Sequence, residues 1–172
     1  KGEVAFPNPN ALGNAWFVEE VKTVDNADAE IKAIESFDPL KTAIVDKRFS
    51  GDLAGFTASK DSSDLIRLDT YAPNELNYSY RLKNKGLAVF SEIFYPLGWK
   101  AFVDGQPAPH FRANYVLRAM VLPAGEHKVR FVFEPAAYHV GEKVSMASSA
   151  LVLLALAAAI GMFAWRRLRP GE

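Results

Sequence analysis

The residues best suited to chemistry are crowded between positions 92 and 118. Tyr95, Trp99 and Tyr115 are flat rings near turns or strand ends, and Arg112, Asn114 and Arg118 lie among them as polar partners. Rings flanked by such groups can stack on a sugar and hydrogen-bond its hydroxyls, although aromatics at this density also build cores. Tyr138 is a further ring of this kind. Glu92 differs, because it is the one acid in an apolar run. A buried carboxylate must be paired or hydrogen-bonded, so Glu92 is expected in a structural ion pair with Arg112 or Arg118.

Other chemistries find less support. Asp104 could be imagined as a general base, but Asp104-Gly105 suits the positive φ of a two-residue hairpin turn. His110, His127 and His139 have no second ligand at short spacing, so no metal site is expected. The chain has no cysteine, which excludes disulfides, thiolate metal sites and a cysteine nucleophile. There is no Gly-x-Ser-x-Gly elbow and no Gly-rich phosphate loop, so neither a serine hydrolase nor a nucleotide cofactor is indicated. The 20 basic and 20 acidic side chains balance, which removes the electrostatic case for nucleic acid. With 49% apolar residues the chain is not disordered.

The elements that must position these residues read as mainly β. Trp16 to Val24 is rich in aromatic and β-branched residues and predicts a strand. Asp25-Asn26 can cap a short helix, with Asp28 and Glu30 in its first turn and Ile31, Ile34 and Phe37 on one stripe. Pro39 ends it, and Thr42 to Asp46 is a short buried strand before the turn region at Gly51 to Gly55. Leu65 to Tyr71 and Glu75 to Leu82 follow, the second with Leu76, Tyr78, Tyr80 and Leu82 facing one way. Leu87 to Phe94 is apolar on both faces except for Ser91 and Glu92, as expected of a central strand packed on both sides. Trp99 to Val103, Tyr115 to Leu122 and Lys128 to Glu134 complete the set. Short strands with frequent turns predict a β-sandwich of jelly-roll or immunoglobulin-like type with one short helix.

A different solvent governs the end of the chain. Val144 to Trp165 holds 22 residues without a charge, 18 of them apolar. At about 1.5 Å per residue it reaches roughly 33 Å, enough for a bilayer core of roughly 30 Å. Trp165 with Arg166, Arg167 and Arg169 forms an interfacial anchor and positive-inside flank. The C-terminus is therefore expected in the cytoplasm and residues 1–143 outside it. Lys1 to Ala15 contains no apolar run long enough for a signal peptide. The chain is thus expected to be a fragment, with Phe6-Pro7-Asn8-Pro9-Asn10 as part of a linker leading in.

Several separated blocks carry a resemblance. Phe94-Tyr95-Pro96-Leu97-Gly98-Trp99-Lys100-Ala101-Phe102-Val103-Asp104-Gly105, Arg112-Ala113-Asn114-Tyr115-Val116-Leu117-Arg118, Val121-Leu122-Pro123-Ala124-Gly125-Glu126-His127 and Phe133-Glu134-Pro135, followed by the apolar span, resemble the C-terminal region of the YfhO family of bacterial membrane proteins. The resemblance covers residues 86 to 165 well and the earlier part loosely. It implies a large multi-pass parent in the bacterial cytoplasmic membrane, similar to polyprenyl-phosphate-dependent glycosyltransferases of the GT-C architecture. In that architecture the catalytic acids lie in an early extracytoplasmic loop, so no catalytic residue carries over to this chain.

The expected organisation is a linker (1–14), an extracytoplasmic sandwich (15–135), a connector (136–143), a transmembrane helix (144–165) and a basic tail (166–172). The expected role is a non-catalytic accessory domain beside a glycosyltransferase site. Its partners would be the lipid bilayer, the parent's remaining membrane helices and a glycan or lipid-linked sugar. The alternatives are a membrane-anchored carbohydrate-binding module and a structural protein-interaction domain.

Overall fold

The element order begins with two short strands where one was expected. In the computed structural model, which describes residues 8, 11–53, 56–57 and 59–168, β1 (Ala15–Val18) and β2 (Glu20–Val24) belong to different sheets. The chain breaks at Glu19 because the amide groups of Glu19 and Glu20 both donate to the Lys41 carbonyl, at 2.7 and 2.8 Å. Most of the expected linker, residues 1–7 and 9–10, lies outside the described residues, as do Ala54 and Gly55.

Asn26 caps α1 (Ala27–Ala33), its side chain accepting from the amide of Ala29 at 2.9 Å, which satisfies one of the free donors of a helix N-terminus. The expected apolar stripe is only partly covered, with Ile34 and Phe37 half-buried. Ile31 is exposed, and the one buried residue of the helix is Glu30. The α-helix stops at Ala33 and tightens into a 3-10 turn over Ile34–Ser36, so Phe37 never reaches the helical phase that the stripe required. β3 (Thr42–Asp46) then pairs in parallel with β2, and a 3-10 segment covers Lys47–Leu53.

Eight further strands follow: β4 (Leu65–Ala72), β5 (Glu75–Leu82), β6 (Gly86–Ile93), β7 (Trp99–Val103), β8 (Gln106–Ala108), β9 (Phe111–Ala113), β10 (Leu117–Leu122) and β11 (Gly125–Phe133). They form a four-stranded sheet, β1-β6-β10-β9, and a five-stranded sheet, β4-β5-β11-β7-β8. Between the two sheets lies one core. Phe17, Ala88, Phe90, Met120 and Leu122 come from the first sheet, and Leu76, Tyr78, Tyr80, Val129 and Phe131 from the second. Fully burying each of the larger side chains contributes about 1.5–3 kcal/mol. The opposite face of the four-stranded sheet also packs, with Val18, Leu87, Val89 and Ala119 against Ala43 and Val45 of β3. β6 is therefore covered on both sides, and its first five residues are buried.

Turns behave as their residues dictate. Asp104 and Gly105 take φ of 48° and 80°, and Val103 pairs with Gln106 across them, the two-residue hairpin that Asp-Gly favours. Gly98 is required by packing, since a Cβ there would meet the Phe133 ring at 2.2 Å. Tyr115 is not in a strand. β10 begins at Leu117, because the backbone turns through positive φ at Asn114 and Tyr115. β11 starts at Gly125, earlier than expected, and ends at Phe133.

The chain divides into two compact units, residues 1–133 and 134–172. The second is dominated by α2 (Ala136–Leu168), 33 residues long. The helix begins within the stretch expected to be a connector. Pro135 precedes it, where a missing N–H costs nothing, and no proline stands between Ala136 and the apolar run. Residues 140–167 are long and apolar enough to cross a membrane.

Candidate functional site

The six candidate residues separate into two groups, each built around a buried arginine or carboxylate. In the first, Asn114 and Tyr115 have φ of 50° and 70°, a region costly for residues with a Cβ. Hydrogen bonds hold the turn there. The Asn114 amide donates to the Ile44 carbonyl at 2.8 Å, and the Ile44 amide donates to Asn114 Oδ1 at 2.8 Å. The Tyr115 amide donates to Glu30 Oε1 at 2.8 Å, and Arg112 Nη2 donates to Glu30 Oε2 at 2.5 Å. Arg112 also lies 3.6 Å from Asp46, while its guanidinium covers the rings of Tyr115 and Phe49. Asp46 is gripped by Arg48 through two bonds of 2.9 and 2.7 Å, and these bonds hold its carboxyl below the usual range.

Arg112 and Asn114 thus tie α1, β3 and β9 together. Glu30 and Asp46, the acids that organise this group, were not singled out from sequence. Glu30 was visible only as a first-turn acid suited to the helix dipole, and its other role depends on partners 82 and 85 positions away.

The second group lies between the sheets. A register shift precedes Arg118 in β10, after which Arg118, Met120 and Leu122 share the core face. Arg118 is 1% exposed. Its Nε donates to the Ile93 carbonyl at 2.9 Å, and its guanidinium sits 4.1 Å from the Trp99 ring centre and 4.9 Å from that of Phe131. Glu92 approaches Arg118 Nη2 at 3.9 Å, so Arg118, rather than Arg112, is its neighbour. Trp99 is half-buried at the start of β7. Tyr95 is exposed and stacks on Phe133, with ring centres 6.4 Å apart.

Two groups beside Arg118 were not assigned a role from sequence. His110 meets Phe131 and Phe94 edge-on, and burial, then the nearby Arg118 charge, pushes its pKa down to about 4. Tyr78 is fully buried, and desolvation raises its hydroxyl well above the ordinary value. Arg118 Nη1, His110 Nε2 and the Tyr78 hydroxyl make no hydrogen bond within the described chain.

A third polar cluster lies at the opposite end of the five-stranded sheet. His127 Nδ1 is 2.6 Å from Asp104 Oδ2, and Nε2 is 3.0 Å from the Ala124 carbonyl. Asp104 Oδ1 also accepts the Lys128 amide at 2.9 Å. With an acceptor on each ring nitrogen, His127 is best satisfied as an imidazolium, and its pKa is raised, chiefly by Asp104. Asp104 is lowered, first by the Lys128 amide and then by His127. A ring so occupied is a clasp between two turns and a poor general base. It borders an open groove of about 530 Å³ that also presents Arg67, Tyr80 and Arg81.

Among the described residues no group of three or more His, Asp or Glu is placed to hold a metal ion. Trp165, Arg166 and Arg167 lie exposed at the end of α2, with the Arg167 guanidinium over Phe163. Tyr138 is exposed on the first turn of that helix, and Arg169 lies outside the described residues.

A family model described as bacterial membrane protein YfhO matches residues 57–145, just over half of the chain. No curated protein and no solved structure matches it significantly.

Proposed function

This chain belongs to the YfhO family of bacterial membrane proteins, and from that premise we propose that it is a non-catalytic accessory domain of a glycosyl-transferring membrane protein. In this reading residues 15–135 lie on the extracytoplasmic face of the cytoplasmic membrane. They form a wall on the acceptor side of a site supplied by other parts of the parent, and α2 crosses the bilayer with its arginines in the cytoplasm.

The observation that carries this reading is how the polar candidates are used. Arg112 and Asn114 bind Glu30 and Ile44, Arg118 is sealed beneath Trp99, and the Asp104–His127 pair clasps the β7–β8 hairpin to the start of β11. Side chains committed in this way hold a surface in shape. Shape without movable acid–base groups suits a positioning role beside a reaction.

The test is sugar transfer from a polyprenyl-phosphate donor by the full-length parent, with and without residues 15–133. Deletion is expected to abolish or strongly reduce transfer while the parent still inserts in the membrane. Unchanged transfer overturns the accessory role.

A further inference from the structure

Large apolar side chains left in water by a packed sandwich call for an explanation when they gather in one place. Among its described residues the 1–133 unit exposes eight large hydrophobics, and five of them, Tyr71, Ile93, Tyr95, Leu97 and Val116, cluster at one end. Leu97, Ile93 and Tyr71 are the most exposed of the eight, at 74%, 69% and 66%.

Hydrogen bonds and register locate these residues on one rim. Trp99 pairs with Phe133, so the 94–98 loop emerges where β11 ends. The Phe94 amide donates to the Val116 carbonyl at 2.8 Å, which joins the β9–β10 turn to that loop. On the other side the Phe133 amide donates to the Asn74 carbonyl at 2.9 Å, in the turn that follows Tyr71. The loop is also braced from within, since Tyr95 stacks on Phe133 and Gly98 lies against the same ring. A braced loop presenting apolar tips is a built surface.

The chain itself indicates the occupant. After Phe133, Glu134 and Pro135 lead directly to Ala136, the first residue of the apolar helix. Three Cα–Cα steps of 3.80 Å allow no more than about 11 Å between Phe133 and Ala136. The strand end that carries the rim is therefore tethered to the segment able to cross a bilayer, while the Asp104–His127 pair lies about 20 Å away along β11. Tyrosine rings suit the headgroup level, and apolar side chains there can bury about 5–10 Å into the headgroup and acyl boundary.

We propose that the Tyr71, Ile93–Leu97 and Val116 rim is a lipid-contacting surface that seats the sandwich on the bilayer. This surface requires only that α2 spans the membrane, and it stands whether or not the parent transfers sugars. A seated sandwich would be held in orientation at two points, the tether and the rim, and any groove it walls would then keep a fixed height above the lipid.

The absence of cysteine makes the test direct. The whole chain carrying Leu97→Cys, or Gln106→Cys at the far end as control, is labelled with an environment-sensitive fluorophore. It is then reconstituted in phosphatidylethanolamine and phosphatidylglycerol vesicles. A nitroxide on the lipid acyl chain should quench the label at position 97 several-fold more than at 106, with the order reversed for aqueous iodide. Both positions are exposed, and an unchanged thermal midpoint verifies that each labelled protein is folded. A label at Tyr71→Cys, on a different strand, should follow position 97. Iodide access at 97 equal to that at 106 overturns the proposal. So does shielding of 97 from both quenchers, which would mean that protein covers the rim, and so does disagreement between 71 and 97.

Discussion

The two buried polar centres of the sandwich unit resemble each other in composition and differ in bookkeeping. At the first, Glu30 is fully buried and both its oxygens are engaged, by Arg112 and by the Tyr115 amide. At the second, Arg118 is equally buried, yet its carboxylate neighbour Glu92 stands 3.9 Å away and is 20% exposed, and Nη1 makes no hydrogen bond within the described chain. Its compensation comes largely from the faces of Trp99 and Phe131, an attraction of about 2 kcal/mol when desolvated. The first centre is an ionic lock joining three elements through both Glu30 oxygens, although Arg112 Nε, like Arg118 Nη1, makes no hydrogen bond within the described chain. The second is a cation held by aromatic rings. A buried arginine thus has no fixed energetic meaning, because what matters is which groups are stranded when it is removed.

Substituting the same apolar residue at both arginines tests this difference. Arg112→Met leaves the Glu30 carboxylate buried without its charged partner, and should cost about 3–5 kcal/mol. Thermal or urea unfolding, followed by near-ultraviolet circular dichroism of the aromatic core, would measure it. A cost below about 1 kcal/mol would mean that the centre is not a lock. Arg118→Met strands no buried acid, since Glu92 can turn to water, and the thioether can pack on the same rings. Stability should stay within about 1.5 kcal/mol of the parent chain. If Arg118→Met proves as damaging as Arg112→Met, the Glu92 pairing matters more than its distance suggests.

The contrast also explains what could be read from sequence. Local signals were legible: the Asp104-Gly105 hairpin, the Asn26 cap, the alternation in β5 and the two-sided burial of β6 each depend on neighbouring residues. Glu92 could be matched with a base, Arg112 or Arg118, because a lone acid in an apolar strand calls for a nearby partner, but the choice between the two was not legible. The Glu30 lock could not be found that way. Its partners arrive from more than 80 positions away, and the competing signal of Ile31, Ile34 and Phe37 pointed the helix one residue out of phase. The division of Trp16–Val24 between two sheets was equally hidden, since it depends on a single carbonyl of Lys41. Arg112 and Asn114 looked like ligand contacts for a related reason. A polar residue beside a turn looks the same in sequence whether it faces solvent or a distant backbone.

The smallest effect concerns pH, and it separates the second centre from the Asp104–His127 clasp. His110 in the fold titrates at about 4 against 6.5 unperturbed. Between those values the unfolded chain binds a proton that the fold refuses, so stability falls as pH drops from 6.5 toward 4. His127 has the opposite sign. Its raised pKa contributes stability that is complete below 6.5 and is lost as pH rises through the folded value. Asp104, lowered from 3.8, keeps its contribution above that value and loses it as pH falls through the folded one. Together they place the maximum of stability near pH 6.5, with an acid limb from the core and an alkaline limb from the surface clasp. His110→Phe should flatten the acid limb by on the order of 1 kcal/mol, because the ring is only part-buried, and leave the alkaline limb in place. His127→Gln should flatten only the alkaline limb, and by less, since that pair faces solvent. Unfolding midpoints between pH 4 and 8 read both. Arg118→Met should also shrink the acid limb partly, because burial is the larger cause of the His110 shift and Arg118 the smaller. An acid limb untouched by either His110→Phe or Arg118→Met would break the assignment of that limb to the second centre.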